Sequence, residues 1–510
     1  LDGFLRPSLR INSQAKERKP PEGGYYSFGA SHLQVTFSFE PAILMAGPFP
    51  EAQSFREVHK SSRWNGFFMM QESLTYKDVD EIALRTLEPP RRIYYFVLLL
   101  LATGVAVGAS CWLYQILTGM GVAGINNPVG WGVYIVNFVF WVGIAHSGTL
   151  ISAILYLFRA RWRTSIYRSA EAMTVFAVMT AGFYPLIHLG RVWKFYWTFP
   201  YPNERFLWPN FRSPLVWDVL AISTYLTVSA LFFFLGLVPD IATIRDAAKG
   251  WRKKLYSVLS LGWQFTHRSW WHYGSAYLFL AALATPLVIS VHSVVSWDFA
   301  MAIIPGWHST IFAPYFVAGA IHSGLAMVIT LLIPMRKILK LEKLITIHNL
   351  ESLAKVILLT GLIVGYSYAT EAFIAWYSGN HYEQEIFRWR AVGHYAPEYW
   401  IMVIFDSIVP LLFFFKKVRT NVVWLFVLGI LINIGMWFER FVIIISSLAH
   451  DFLPYSWGLY KPTLIELGIS VGSFSWFFLL FLVFVKLLPS VAIAEIKEIL
   501  PVPMKKGGEA

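Results

Sequence analysis

Cysteine is nearly absent from this chain. One residue in 510, Cys111, cannot form an internal disulfide or hold an iron–sulfur cluster. No Cys-x-x-Cys-His is present to attach a c-type haem. Cys111 lies inside an apolar run, where a thiol reads as a small buried hydrophobe. Charge is scarce as well. Asp, Glu, Lys and Arg make up 14% of the residues against 56% hydrophobic, a balance that excludes a soluble enzyme of this length. A net charge of +12 could suggest nucleic acid. The basic residues, however, sit in short gaps between apolar runs, where membrane orientation explains them and no nucleic-acid partner is expected.

What is present is a set of apolar runs, each of about 20 residues and long enough to cross a hydrocarbon core of roughly 30 Å. The chain reads as an all-α integral membrane protein with about ten transmembrane helices near 92–117, 132–158, 171–194, 214–238, 271–295, 311–333, 352–377, 398–415, 422–447 and 463–487. The first run begins near residue 92, so no cleavable signal peptide is expected. The even gaps carry RARWR (159–163), RDAAKGWRKK (245–254), MRKILKLEK (335–343) and KKVR (416–419), and MKK (504–506) follows the last helix on the same side. The odd gaps are aromatic, as in YWTFPYPNERFLWPNF (196–211). This bias predicts a multi-pass protein with cytoplasmic N- and C-termini. KERKPPEGG (16–24) reads as an irregular extension, and 76–90 as room for one short helix before a double proline.

A repeat organises the helices. Trp131 opens WGVY and His146-Ser147 follows 15 positions later. Trp307 opens WHST with His322-Ser323 at the same distance, and Trp457 opens WGLY with Gly472-Ser473. These copies fall on helices two, six and ten. An even helix count separates them, so the repeat is parallel. The expected division is 1–90 polar extension, 91–130 first peripheral helix and loop, 131–296 first four-helix bundle (helices two to five), 297–447 second bundle (helices six to nine) and 448–510 last helix and tail. The small residues after each histidine suit close helix approach, and packing alone would account for the repeat as well as function does.

Ionisable residues within spans are costly and mark candidate sites. GFYPLIHLGRVWKFYW (182–197) places His188 and Arg191 on one helix face behind a kinking Pro185, and SPLVWDV (213–219) puts Asp218 in the first turn of the next helix. Imidazole, guanidinium and carboxylate then share the outer side. A quinol needs both hydroxyls hydrogen-bonded, two protons removed near neutral pH and a flat ring walled by aromatics. His188 and Asp218 are suitable bases. Arg191 would polarise a ring oxygen or hold Asp218 ionised, and Trp131, Tyr134, Trp193 and Trp217 would line the pocket. A purely structural His188–Asp218 or Arg191–Asp218 pair fits the spacing equally. His146 lies about 22 Å below Trp131. With Glu171 it would form a vertical proton path, and His322, Glu351 and Asp406 are its second-bundle candidates. Adjacent Glu439 and Arg440 read as a buried ion pair. His308 and His322 are 14 apart, but no second helix offers a matching pair, so no haem, iron–sulfur cluster or other metal site is expected in this chain.

The stretch WGVYIVNFVFWVGIAHSGTLISAILYLFRARWRTSIYRSAEAMTVFAVMTAGFYPLIHLGRVW (131–193), continued by SPLVWDVLAISTYL (213–226), resembles the NrfD-like family of polysulfide reductase membrane subunits. Within it, the chain is most similar to the ActC-type quinol-oxidising subunits of bacterial alternative complex III. The resemblance covers roughly 90–490 and implies ten helices in two four-helix bundles. It also implies a menaquinol site near the periplasmic face of the first bundle. His188 and Asp218 match the residues of that site, and Arg191 stands in the same motif. The implied setting is the bacterial inner membrane. The implied partners are a periplasmic iron–sulfur subunit, multihaem and monohaem cytochrome c subunits, a second NrfD-like membrane subunit and small membrane subunits. The resemblance also raises proton translocation coupled to the electron transfer. A quinone-reducing subunit of a polysulfide-reductase-type complex, or a proton-coupled transporter without redox role, are the alternatives.

Overall fold

The structure is a computed structural model that describes residues 75–201, 206–208 and 210–500. The extension motif at 16–24 and the MKK at 504–506 lie outside the described residues. Ten helices are long and apolar enough to cross a membrane: α1 Arg92–Thr118, α2 Val133–Leu157, α3 Tyr167–Leu189, α4 Pro214–Ala247, α5 His267–Ala300, α6 Phe312–Ile338, α7 Ile347–Tyr377, α8 Ala396–Phe414, α9 Val422–Ala449 and α10 Leu464–Leu487. Among the described residues there is no strand, as expected where every backbone group must be satisfied inside hydrocarbon. Local chemistry sets the boundaries. Pro214 opens α4 at the position where its missing N–H costs nothing. Thr346 with Asn349 and Thr463 with Glu466 form capping boxes on α7 and α10. The expected short helix before the double proline is Tyr76–Leu84.

Helices α2 to α5 close one four-helix bundle and α6 to α9 a second, with α2 and α6 the most enclosed helices and in contact with each other. The two run parallel: the Trp131 and Trp307 rings at their starts stand 5.5 Å apart. The repeated small residues sit at this seam, where a Cβ on Gly324 would fall 2.2 Å from the Ser147 hydroxyl. The two remaining spans pair with each other. A Cβ on Gly108 of α1 would approach the Gly472 backbone of α10 to 2.5 Å, so these helices touch main chain to main chain. The third copy of the repeat is thus a helix-packing site in which glycine replaces the histidine.

Several helices run past their expected ends. α3 begins at Tyr167 rather than 171, α4 continues through Pro239 to Ala247, and α5 reaches Ala300 rather than 295. The extra turns carry Arg168, Asp240 and Asp298. After α10 the chain folds back across the basic end of the first bundle. Ser490, Val491, Ala492, Ile493, Ile496 and Leu500 are all buried there. Ser169 donates to the Ser490 carbonyl at 2.8 Å, and Arg163 pairs with Glu495 at 2.9 Å. Lys497 reaches Asp80 of the short helix. Burial, with Glu495 nearby, holds the Glu498 carboxyl above its usual range.

Candidate functional site

The aromatic end of the first bundle carries the expected site residues on separate elements. His188 is in the last turn of α3, which stops where Gly190 takes φ +73°. Its Nδ1 is buried and has no hydrogen-bond partner. Asp218 is buried in the first turns of α4, and its Oδ1 is also without a partner. Its carboxyl neighbours that of Asp298 on α5, whose Oδ1 is likewise buried without a partner. The tryptophans one residue earlier, Trp217 and Trp297, stand edge to face at 6.0 Å. An imidazole and a carboxyl pair, each with an unused buried acceptor, thus share the aromatic end of the bundle.

Other expected members are engaged elsewhere. Arg191 is exposed and makes no ion pair among the described residues, because α3 has already ended and its side chain leaves the bundle. Neither structural pair, His188–Asp218 or Arg191–Asp218, forms. Tyr134 is fully buried, but its hydroxyl is committed to Gln115, which in turn donates to the Ile187 carbonyl at 2.9 Å. Trp131 packs between Phe299 and Trp307 at the seam of the bundles. Trp193 is exposed on the turn after α3. Of the four expected wall residues, Trp217 directly precedes Asp218 on α4, and its ring meets that of Trp297.

Deeper in the membrane the polar groups form three clusters. At the basic end, Arg168 pairs with Glu171 at 2.8 Å and with Asp240 at 3.0 Å, and donates to the Gly236 carbonyl. Tyr277 donates to Glu171 at 3.1 Å, and the backbone N–H of Ala494, from the segment after α10, donates to Asp240 at 3.0 Å. Near mid-membrane, His146 hydrogen-bonds the Val142 carbonyl through Nδ1 and meets His292 of α5 with ring centroids 4.4 Å apart. Neither ring nitrogen of His292 has a partner.

The third cluster fills the second bundle. Glu439 accepts from Tyr315 and Arg440, confirming the adjacent ion pair, and Tyr368 donates to Asp406 at 3.4 Å. Arg440 lies 4.9 Å over Phe316, whose ring is 5.9 Å from His292. Widened helical turns at Ile404–Ile408 and Val442–Ser446 contain or follow these residues, a common device for aiming side chains into a bundle. The contacts therefore run sideways between the bundles rather than straight down one. His322 is held by Thr360 at 3.0 Å. Glu351 stands outside every cluster, paired with Arg419 at 2.9 Å and Lys355 at 3.1 Å. It is a half-buried ion pair at the basic end, where both basic partners are available. No group of three or more metal-binding side chains occurs among the described residues.

Comparison with known proteins places this geometry. The model of the polysulphide reductase NrfD family matches residues 121–450. The chain belongs to the NrfD family. It is 28% identical over 230 residues to a protein of Halobacterium salinarum named as a membrane subunit of dimethyl sulfoxide reductase, a match that spans about half of each protein (45% and 49%). Longer matches reach a selenate reductase subunit of Mesobacillus selenatarsenatis (23% identical; 78% of this chain, 94% of that protein). They also reach the Hdr-like menaquinol oxidoreductase integral membrane subunit of Archaeoglobus fulgidus (22%; 79% and 96%). These relatives are named as subunits of two reductases and of a menaquinol oxidoreductase.

Proposed function

We propose that this NrfD subunit binds and oxidises menaquinol at the aromatic, periplasmic end of its first bundle. The observation that carries the reading is the buried Asp218–Asp298 pair, with His188 on the neighbouring helix and unused acceptors on both. A buried polar atom without a partner is costly, and such atoms gathered at one end of a bundle favour a ligand that supplies donors. A quinol has two hydroxyls to give. One would donate to Nδ1 of His188, the other to the carboxyl pair, which takes its proton as the ring is oxidised. Trp217 and Trp297 fit the flanks of a flat ring. A relative named as a menaquinol oxidoreductase subunit supports the choice of quinol.

Each turnover releases two electrons and two protons. In this reading the electrons leave to an iron–sulfur subunit docked at the aromatic end and on to cytochrome c subunits, beside a second NrfD-like subunit. The exposed Trp193, Trp197, Phe206 and Trp208 offer it an apolar surface. Proton movement, if coupled, would use the clusters: Asp240, Arg168 and Glu171 at the cytoplasmic end, His146 and His292 at the centre, and Glu439, Arg440 and Asp406 across the seam. The test is His188→Asn and Asp218→Asn in the intact complex. Loss of menaquinol oxidation at retained assembly is expected, and near-normal turnover in both variants sinks the site.

A further inference from the structure

A groove on the other flank of α3 has no role in the chemistry above. It is a cavity of about 220 Å³ whose lining includes Ala109 and Trp112 of α1, Phe183 and Ile187 of α3, and Gly472 and Trp476 of α10. Its floor is the Gly108–Gly472 contact, where no side chain exists to fill it. Trp112 and Trp476 each meet the Phe183 ring edge-on, at 6.3 and 6.0 Å. Both indole N–H groups are buried and have no acceptor. The lining runs over eight residues of α1 (105–112) and of α10 (469–476), about 10 Å along the membrane normal. Its upper end is Ile187, the residue before His188, and Gln115 pins that turn to α1.

We propose that this groove holds the isoprenoid chain of the quinol whose ring lies at His188. The inference rests on the ring site proposed above and extends it. Continuity is the first argument: a chain leaving the ring at His188 meets the groove within one helical turn. Depth is the second. Trp476 lies 12 residues into α10, about 18 Å from its outer end and near the middle of the hydrocarbon, below the reach of phospholipid ester oxygens. A polyprenyl chain carries a double bond in every unit, a weak π acceptor for an indole N–H at any depth. A saturated acyl chain carries none.

The test uses the intact complex in lipid nanodiscs with menaquinol-4 and with menadiol, which is the ring without a tail. Ala109→Phe fills the groove from its lipid side. It should raise the ratio of KM for menaquinol-4 to KM for menadiol about tenfold, while Leu99→Phe, on α1 outside the groove, leaves the ratio unchanged. An unchanged ratio in Ala109→Phe overturns the proposal. A menaquinone carrying a diazirine on its chain reads occupancy without turnover. It should label residues 105–112 in the wild type and in the turnover-deficient His188→Asn, and far less in Ala109→Phe. Labelling that unmodified menaquinone-4 fails to displace, and that a diazirine phospholipid matches, assigns the groove to bulk lipid and overturns the proposal. Loss of turnover in His188→Asn with labelling retained separates the tail groove from the ring chemistry.

Discussion

Asp218 and Asp298, on consecutive helices and 80 positions apart in the chain, form one carboxyl pair at the aromatic end of the first bundle. Each is followed around the helix by bulky apolar residues and preceded by a tryptophan. If the proposed quinol site is right, the two acids serve it together and both should be needed for its chemistry.

Asp298→Asn is therefore expected to lose menaquinol oxidation as fully as Asp218→Asn, by about 10²–10⁴-fold, the range of a general acid–base group. An asparagine imitates the protonated acid, so assembly and spectra of partner subunits should be unchanged. The measurement is steady-state turnover in the purified complex. Turnover within threefold of wild type in Asp298→Asn would show that Asp218 works alone.

His292 presents the opposite balance. Both its ring nitrogens are buried without a partner, so an apolar replacement relieves an unsatisfied polar group. His292→Leu should be more resistant to heat, by about 1–3 kcal/mol. If protons pass through the central histidines, the same variant turns over more slowly or ejects fewer protons per electron. Thermal unfolding in detergent and proton release from proteoliposomes read the two effects separately. A variant both less stable and fully coupled contradicts both expectations.

Arg168 is the paired cation of two buried carboxylates, whose other partners are the Tyr277 hydroxyl and the Ala494 N–H. Arg168→Leu leaves Glu171 and Asp240 without their paired cation and should cost about 3–5 kcal/mol, seen as a lowered melting temperature. Adding Glu171→Gln and Asp240→Asn to it should recover most of the loss. Failure of that rescue would mean that the guanidinium packs rather than neutralises.

Gly472→Val tests the α1–α10 contact. A side chain there cannot fit against the Gly108 backbone, so the helices must separate, at a cost of at least about 2 kcal/mol. Protease sensitivity of α1 in native membranes is the readout, and a wild-type cleavage pattern is the contrary result.

The ten spans were legible because uninterrupted apolar runs leave no other reading, and His188 and Asp218 because an ionisable group in such a run is conspicuous. Three of the residues missed share one cause. Arg168, Asp240 and Asp298 each lie just beyond an expected helix end, where a charge or Pro239 reads as the start of a loop. In the folded chain Arg168 and Asp240 pair inside the bundle at one end and Asp298 meets Asp218 at the other, and having a partner there removes the cost that pointed to a boundary. A signal for Asp298 was present: the dipeptide Trp-Asp occurs at 217–218 and again at 297–298. Arg191 erred the other way. Its spacing from His188 assumes a helix that Gly190 has already ended.

The pairing of α1 with α10 also sets an order of assembly. The first span enters the membrane eight helices before its partner exists, with the Gly108 face turned to lipid. The segment that bonds Asp240 follows later still. Neither the α1–α10 flank of the first bundle nor the cover over its Asp240 end can form until the remaining spans are in place, so a chain interrupted after α9 would hold two closed bundles with the Gly108 face of α1 and the Asp240 carboxylate left uncovered.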